Sequence, residues 1–149
     1  MKPMHFSIAI AAPKEKVWNT MLQQETYRIW TAEFGEGGYY EGSWEQGEKI
    51  RFLGPGGTGG MTSVIAENKP WRFISIKHLG IIKNGIDDTE SEEAKAWSHV
   101  YENYTFEEKD GITEVQVDMS AIPQEFDDYM TNTWPKALAK LKALCEQHI

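Results

Sequence analysis

The clearest chemical motif in this sequence of 149 residues is a glycine-rich loop. The run Gly54-Pro55-Gly56-Gly57-Thr58-Gly59 satisfies the GxGxxG pattern of dinucleotide-binding proteins. That pattern holds a pyrophosphate only when the loop opens a helix, whose N-terminal amides bind the anion. Here a β-prone run, 61–65, follows the glycines, and no lysine completes a phosphate-binding loop. We therefore expect a flexible hairpin loop, which could gate a cavity mouth.

The other reactive residue types lack the spacing that catalysis or metal binding needs. The acidic stretch 87–93 has no EF-hand ligand order, and Cys145 lies on the apolar stripe of a predicted helix, where a thiol behaves as a small hydrophobe. No GxSxG elbow is present. The histidines show no zinc-ligand spacing; they are His5, His78, His99 and His148. We expect no metal and no cofactor.

A predicted β-hairpin gives the most specific candidate, because Asp110-Gly111 is a strong turn signal. A two-residue turn pairs Phe106 with Val115, Tyr104 with Val117 and Glu102 with Met119, and it points Glu102 into the core. A three-residue loop would instead turn a different set inward, namely Trp97, Tyr101 and Asn103. We favour the first register because its inward face is more apolar.

An inward carboxylate is costly unless it is paired or hydrogen-bonded. One hypothesis is that Glu102 orients a polar group on an otherwise apolar ligand. The alternative is that it lies at a cavity mouth, or pairs with Arg72, Lys77 or a nearby tyrosine. A third interpretation makes Glu102 and His78 the acid and base of a cyclase-type enzyme.

The elements that must position these residues follow from hydrophobic periodicity. A first strand over 6–10 precedes two helices, one that opens at Ala12-Pro13 and ends near residue 22, and a short one over 25–32. A β-meander then follows, and a polar connection over 81–96 holds one helical turn with Thr89 and Glu92 at capping-box spacing. The predicted strands of the meander and hairpin contain Trp44, 50–53, 61–66, 71–78, 97–106 and 112–119.

A long helix after Pro123 completes the chain, with Pro135 predicted to kink it without ending it. Its apolar stripe contains Phe126, Met130, Trp134 and Leu138. No linker or repeat interrupts the order, which predicts a single α+β domain over 1–149.

Short motifs in this order resemble a known superfamily. They are APKEKVW at 12–18, YRIW at 27–30, ENYTF at 102–106 followed by GITEV at 111–115, and WPKAL at 134–138 with Leu141-Lys142. Together they resemble the START-like (SRPBCC) superfamily. Within it, the sequence is similar to the branch of the activator of the ninety-kilodalton heat-shock chaperone's ATPase.

This resemblance implies a helix-grip fold, in which a curved antiparallel sheet wraps around a long C-terminal helix, with two short helices after the first strand. A cavity lies between sheet and helix in this fold. Members of the superfamily bind lipids, sterols, polyketides or other apolar molecules, and some are cyclases or hydroxylase components. The family therefore implies a shape and leaves the function open.

Aromatic residues make up 12% of the chain, and they could line such a cavity or fill it as an ordinary core. As ligand-contacting residues we predict a set drawn from the sheet and the long helix. It consists of Trp44, Phe52, Ile74, Ile76, His78, Glu102, Tyr104, Met130, Trp134 and Leu138.

Charge and composition exclude several partners. The chain has 15 Lys and Arg against 23 Asp and Glu, for a net charge of -8, which argues against nucleic acid. No apolar run is long enough for membrane insertion. A single cysteine suits a reducing cytoplasm. We predict a small cytoplasmic monomer that binds an apolar or amphipathic molecule; the alternative is a chaperone-activator-like domain that docks a partner protein.

Overall fold

One antiparallel sheet organises residues 3–147, the part of the chain that the computed structural model describes. His148 lies outside that range. The strands are β1 Met4–Ile10, β2 Tyr39–Gly42, β3 Lys49–Leu53, β4 Gly59–Lys69, β5 Phe73–Lys83, β6 Ile86–Asp88, β7 Tyr101–Lys109 and β8 Ile112–Met119. Their order is β1-β8-β7-β5-β4-β3-β2, with β6 paired to β5. The sheet is curved and does not close into a barrel.

The helices are α1 Lys14–Leu22, α2 Gln24–Trp30, α3 Glu92–Trp97 and α4 Asp127–Cys145. Short 3-10 turns cover Thr31–Phe34, Pro55–Gly57 and Gln124–Phe126. Helix α4 packs against β1, α1 and α2, so the predicted helix-grip architecture is confirmed. None of the described helices is long and apolar enough to cross a bilayer.

The hairpin between β7 and β8 has the predicted register. Glu102 pairs with Met119, Tyr104 with Val117, and Phe106 with Val115. Asp110 and Gly111 have φ values of 55° and 80°, and two successive residues with positive φ make a type I′ turn. The two-residue loop is therefore confirmed, and Tyr104 and Phe106 face the core.

Most of the predicted apolar stripe of α4 is buried, but Met130 is half-buried and Phe126 lies in the 3-10 turn before the helix. Trp134, Leu138, Leu141 and Cys145 are each at most 3% exposed. Pro135 lies inside the helix, which continues through it to Cys145. The kink at this proline stays a prediction.

Three tryptophans that the sequence placed in strands lie elsewhere. Trp44 lies in the loop between β2 and β3, Trp71 occupies the β4–β5 turn, and Trp97 ends helix α3. Strands β5 and β7 accordingly begin at Phe73 and Tyr101. The assignment failed because the strand preference of an aromatic residue reflects its packing surroundings more than its own backbone preference.

Two helix starts also differ from the prediction. Helix α3 is capped by Ser91, whose hydroxyl accepts from the Ala94 N–H, and not by Thr89. Pro13 is the N-cap of α1 and not its first helical residue. The predicted polar connection also contains the end of β5 and all of β6, because the chain forms a further hairpin there.

Candidate functional site

A cavity of about 430 Å³ lies between the inner face of the sheet and the helices that cover it. Strands β3, β5 and β7 form one wall. Helix α2, the turn Thr31–Phe34, the end of α3 and the start of α4 form the other. The volume is within the range of pockets that hold small molecules.

Aromatic side chains make up almost half of the lining. Trp134 of α4 packs at 5.9 Å from Trp30, 5.0 Å from Phe34 and 6.1 Å from Tyr104, measured between ring centroids. On the other side, the Tyr27 ring lies 6.2 Å from that of Phe52. These ring pairs are tilted or edge-to-face, and together they make the cavity lining largely aromatic, which suits an apolar or aromatic molecule.

One corner of the cavity is polar, and it consists of a hydrogen-bonded chain of four side chains. The Ser63 hydroxyl lies 2.6 Å from Nδ1 of His78. Nε2 of His78 lies 3.1 Å from Oε1 of Glu102. The Tyr104 hydroxyl donates to Oε2 of the same carboxylate. His78, Glu102 and Tyr104 line the cavity, whereas Ser63 is fully buried behind them.

Strand register brings this chain of residues together. On β4 and β5, Ser63 pairs with His78, next to an irregularity between Thr62 and Ser63. On β5 and β7, Ile76 pairs with Glu102, so His78 is one inward-facing position away from the carboxylate. Three separate strands thus contribute to one polar corner.

The hydrogen bonds assign the proton positions of His78. If Nδ1 carried the only ring proton, the Nε2 lone pair would face the Glu102 carboxylate, and the Ser63 proton would have no acceptor among the described residues. The neutral ring therefore carries its proton on Nε2. The imidazolium form also donates from Nε2, so His78 donates to Glu102 in both forms.

Two cavity tyrosines are held in their protonated form. Burial, followed by the nearby Glu102 carboxylate, raises the pKa of Tyr104 well above its ordinary value. The same two causes, in the same order, raise the pKa of Tyr27. Both hydroxyls therefore keep their protons near neutral pH.

Of the three partners predicted for Glu102, the structure shows one. A nearby tyrosine does bind it, but Arg72 is exposed in the β4–β5 turn and Lys77 lies on the opposite face of β5. The period of two along a strand separates Lys77 from His78, which is the second partner. That pairing was not predicted.

The ten residues predicted to contact a ligand divide into three groups. Six line the cavity: Phe52, His78, Glu102, Tyr104, Met130 and Trp134. Ile74, Ile76 and Leu138 are buried in the core beside it. Trp44 packs 5.7 Å from Phe52, and its indole N–H donates to the Leu22 carbonyl.

The wall that α2 and its 3-10 extension provide was not predicted from the sequence. Tyr27, Trp30 and Phe34 all line the cavity. Their spacing of three and four residues places them on one helical face, and this spacing was the signal available in the sequence.

The glycine-rich loop forms part of the cavity rim and contains no phosphate-binding helix. Residues Pro55–Gly57 make a single 3-10 turn, and β4 begins at Gly59. Gly54, Pro55 and Gly60 line the cavity. The run therefore connects β3 to β4 as the predicted hairpin loop, and no α-helix begins at it; its flexibility and its gating role stay predictions.

The acidic stretch and Cys145 have contacts that are typical of residues with a structural role. Asp88 accepts hydrogen bonds from the Glu90 and Ser91 backbone at the start of α3. Cys145 is buried, and burial raises the pKa of its thiol. Over residues 3–147, no cluster of three or more His, Cys, Asp or Glu side chains could hold a metal ion.

This curved antiparallel sheet, with a cavity between it and a C-terminal helix, defines a helix-grip protein. Residues 11–146 match the family described as Activator of Hsp90 ATPase homolog 1-like protein. The chain belongs to this family, as the sequence resemblance predicted. A comparison with curated proteins finds no match.

Solved structures share the fold at low sequence identity. A protein from Mesorhizobium loti has a TM-score of 0.74 at 14% identity, with 96% of each chain covered. The Aha1 dimer from Colwellia psychrerythraea has a TM-score of 0.72 at 18% identity, covering 98% of this chain and 97% of that one. DynU16 from the dynemicin biosynthetic locus has a TM-score of 0.70 at 14% identity, covering 99% of this chain and 48% of its own.

Proposed function

We propose that this chain binds an apolar or amphipathic small molecule, of lipid-, sterol- or polyketide-like character, between the sheet and α4. The observation that carries the proposal is a cavity of about 430 Å³ with aromatic walls and one polar corner. Small-molecule sites typically combine apolar walls with a few placed polar groups. The protein would act as a monomer, and its single cysteine suits the cytoplasm.

In this proposal the walls supply affinity and the corner supplies orientation. Phe52, Met130 and Trp134 would contact the apolar body of the ligand, while His78, Glu102 and Tyr104 would orient its polar group. Burying about 200 Å² of apolar ligand surface would contribute about 5 kcal/mol. Part of that is offset by the cost of immobilising the ligand.

The fold relationship to DynU16 gives further support. That protein comes from a biosynthetic locus for dynemicin. A shared fold does not fix function, so this relationship supports a small-molecule ligand only in combination with the cavity itself.

The test is a tryptophan-fluorescence titration with a fatty alcohol, a sterol and a polycyclic aromatic compound. Trp30, Trp97 and Trp134 line the cavity, so ligand binding should change the protein emission saturably. Met130→Trp should fill part of the cavity and weaken binding at least about tenfold. Lys136→Trp, at an exposed position of the same helix, serves as the matched control.

Two outcomes would contradict the proposal. One is the absence of saturable binding to any of the three ligands. The other is equal binding by wild type, Met130→Trp and Lys136→Trp, because a ligand bound between sheet and α4 must compete with a bulky side chain placed there.

The family description supports a second candidate function, docking to a chaperone partner. Surface residues and not the cavity would then carry the interaction. Saturable binding to the chaperone's middle domain, unchanged in Met130→Trp, would favour this candidate. Absence of that binding would remove it.

A further inference from the structure

Both donors that face Glu102 in the polar corner are already used by its carboxylate. Tyr104 donates to Oε2, and His78 donates to Oε1 from Nε2. Nδ1 of His78 faces Ser63, which does not line the cavity. Neither His78 nor Tyr104 therefore has a donor left for a ligand.

The corner still has unused acceptors. A carboxylate offers about four lone-pair positions on its two oxygens, and His78 and Tyr104 occupy two of them. Glu102 lines the cavity, so its remaining acceptor capacity is available to a bound molecule. A ligand that presents only acceptor atoms to this corner would place its lone pairs against those of Glu102, which is unfavourable.

Two donors that line the cavity close to the corner have no hydrogen-bond partner within residues 3–147. One is the Tyr27 hydroxyl. The other is the buried Nε1–H of Trp134, whose ring lies 6.1 Å from that of Tyr104.

The Phe52 ring lies 6.2 Å from that of Tyr27 and 6.1 Å from that of His78, so Tyr27 lies beside the polar corner. After burial, the Glu102 carboxylate is the next cause that raises the pKa of the Tyr27 hydroxyl. Tyr27 can thus donate to an oxygen atom that itself donates to Glu102. A ligand hydroxyl has both capacities, whereas an ammonium group has no lone pair to accept the Tyr27 proton.

The charge of the lining disfavours acidic ligands. No lysine or arginine is among the residues that line the cavity within the described chain, and Glu102 is the carboxylate there. A buried anion needs a charged partner or several donors. A fatty-acid carboxylate or a phosphate would meet uncharged donors, such as the Tyr27 hydroxyl and the Trp134 N–H, together with the like charge of Glu102.

We propose that the cavity selects a neutral aromatic molecule that bears a hydroxyl group, which donates to Glu102 and accepts from Tyr27, and that it rejects anionic amphiphiles. This inference rests on the proposed function, because it specifies the ligand class of the same cavity. The aromatic side chains around the cavity favour an aromatic body, and the acceptor corner selects the hydroxyl.

A matched set of pyrene derivatives tests the inference by fluorescence titration at neutral pH. The set consists of hydroxypyrene, methoxypyrene, aminomethylpyrene and pyrenecarboxylate, which share one ring system. Hydroxypyrene should bind at least about tenfold more tightly than methoxypyrene, because a hydrogen bond to a charged group distinguishes them. Pyrenecarboxylate should bind most weakly.

Variants assign the preference to named residues. Glu102→Gln should reduce the preference for hydroxypyrene over methoxypyrene to below about threefold, while its affinity for methoxypyrene changes little. Tyr27→Phe should reduce the preference to an intermediate value. Glu107→Gln, at an exposed position on the same strand, should leave it unchanged.

The outcomes separate this inference from the proposed function. Equal wild-type affinity for hydroxypyrene and methoxypyrene, or tightest binding of the ammonium or carboxylate derivative, overturns the inference and leaves the cavity a binding site. No binding of any derivative overturns both. The wild-type comparison does not depend on the folding of Glu102→Gln.

Discussion

His78 and Glu102 face each other across β5 and β7, with Nε2 3.1 Å from Oε1 and only 5% and 16% of their side chains exposed. The pair lies in an otherwise aromatic wall, where an isolated charge would be costly. Ser63 and Tyr104 complete the hydrogen bonding on either side. Loss of any one of these hydrogen bonds would leave a buried polar group without its partner. Substitution of each residue in the corner should therefore have a measurable cost.

Ser63→Ala should destabilise the protein without touching the cavity lining. The variant leaves Nδ1 of His78 buried without its partner, at a cost of about 1–3 kcal/mol in the free energy of unfolding. Urea denaturation measures the difference. Ser7→Ala, at an exposed position of β1, is the control. Equal stabilities of the two variants would show that the Ser63–His78 hydrogen bond is not made.

Stability should decline at alkaline pH because of Tyr27 and Tyr104. Their folded-state pKa values are raised. The unfolded chain loses these protons near pH 10, while the folded chain keeps them. The unfolded state then binds fewer protons, so the free energy of unfolding falls as pH rises above about 10, by about 1.4 kcal/mol per pH unit for each group.

Unfolding of wild type and of Tyr27→Phe/Tyr104→Phe, followed between about pH 9 and 11, checks this sign. The double variant should lose less stability over that range than wild type. A wild-type slope that the double variant reproduces would contradict the assignment of these tyrosines to a buried, carboxylate-flanked site.

Gly60→Ala should damage the cavity rim, whereas Gly59→Ala should be tolerated. A Cβ at Gly60, where φ is 149°, would lie 1.9 Å from the Phe52 carbonyl oxygen. At Gly59 the nearest atom would be 3.8 Å away. We expect Gly60→Ala to cost more than about 2 kcal/mol in unfolding free energy, by overpacking and backbone strain. Thermal denaturation of the two adjacent variants provides the comparison, and similar values would refute the close approach.

Local chemistry explains which parts of the fold were predictable. The turn at Asp110-Gly111 requires positive φ at both residues, so residue type alone indicated the register that turns Glu102 inward. The buried apolar residues of α4 were predictable in the same way, because they recur with the period of a helix.

Tertiary packing decides the rest. The sequence around Trp97 predicts a strand, yet Trp97 ends a helix that Ser91 caps. The reason is tertiary packing, because the Trp97 ring is buried with its centroid 5.1 Å from that of Phe126. Ser63 reaches His78 beside a register irregularity in β4, a feature with no signal in the sequence. Whether aromatic residues fill a core or line a gap depends on how helices sit on the sheet, which spacing does not reveal.

The most direct measurement uses the methionine methyl groups as reporters inside the protein. Met61, Met119 and Met130 line the cavity, whereas Met21 is fully buried in the core outside the lining. With methyl-labelled methionine and hydroxypyrene, intermolecular nuclear Overhauser contacts should connect the pyrene ring to the first three methyls and not to Met21. Saturable binding without contacts to those three methyls would contradict a ligand site between the sheet and α4.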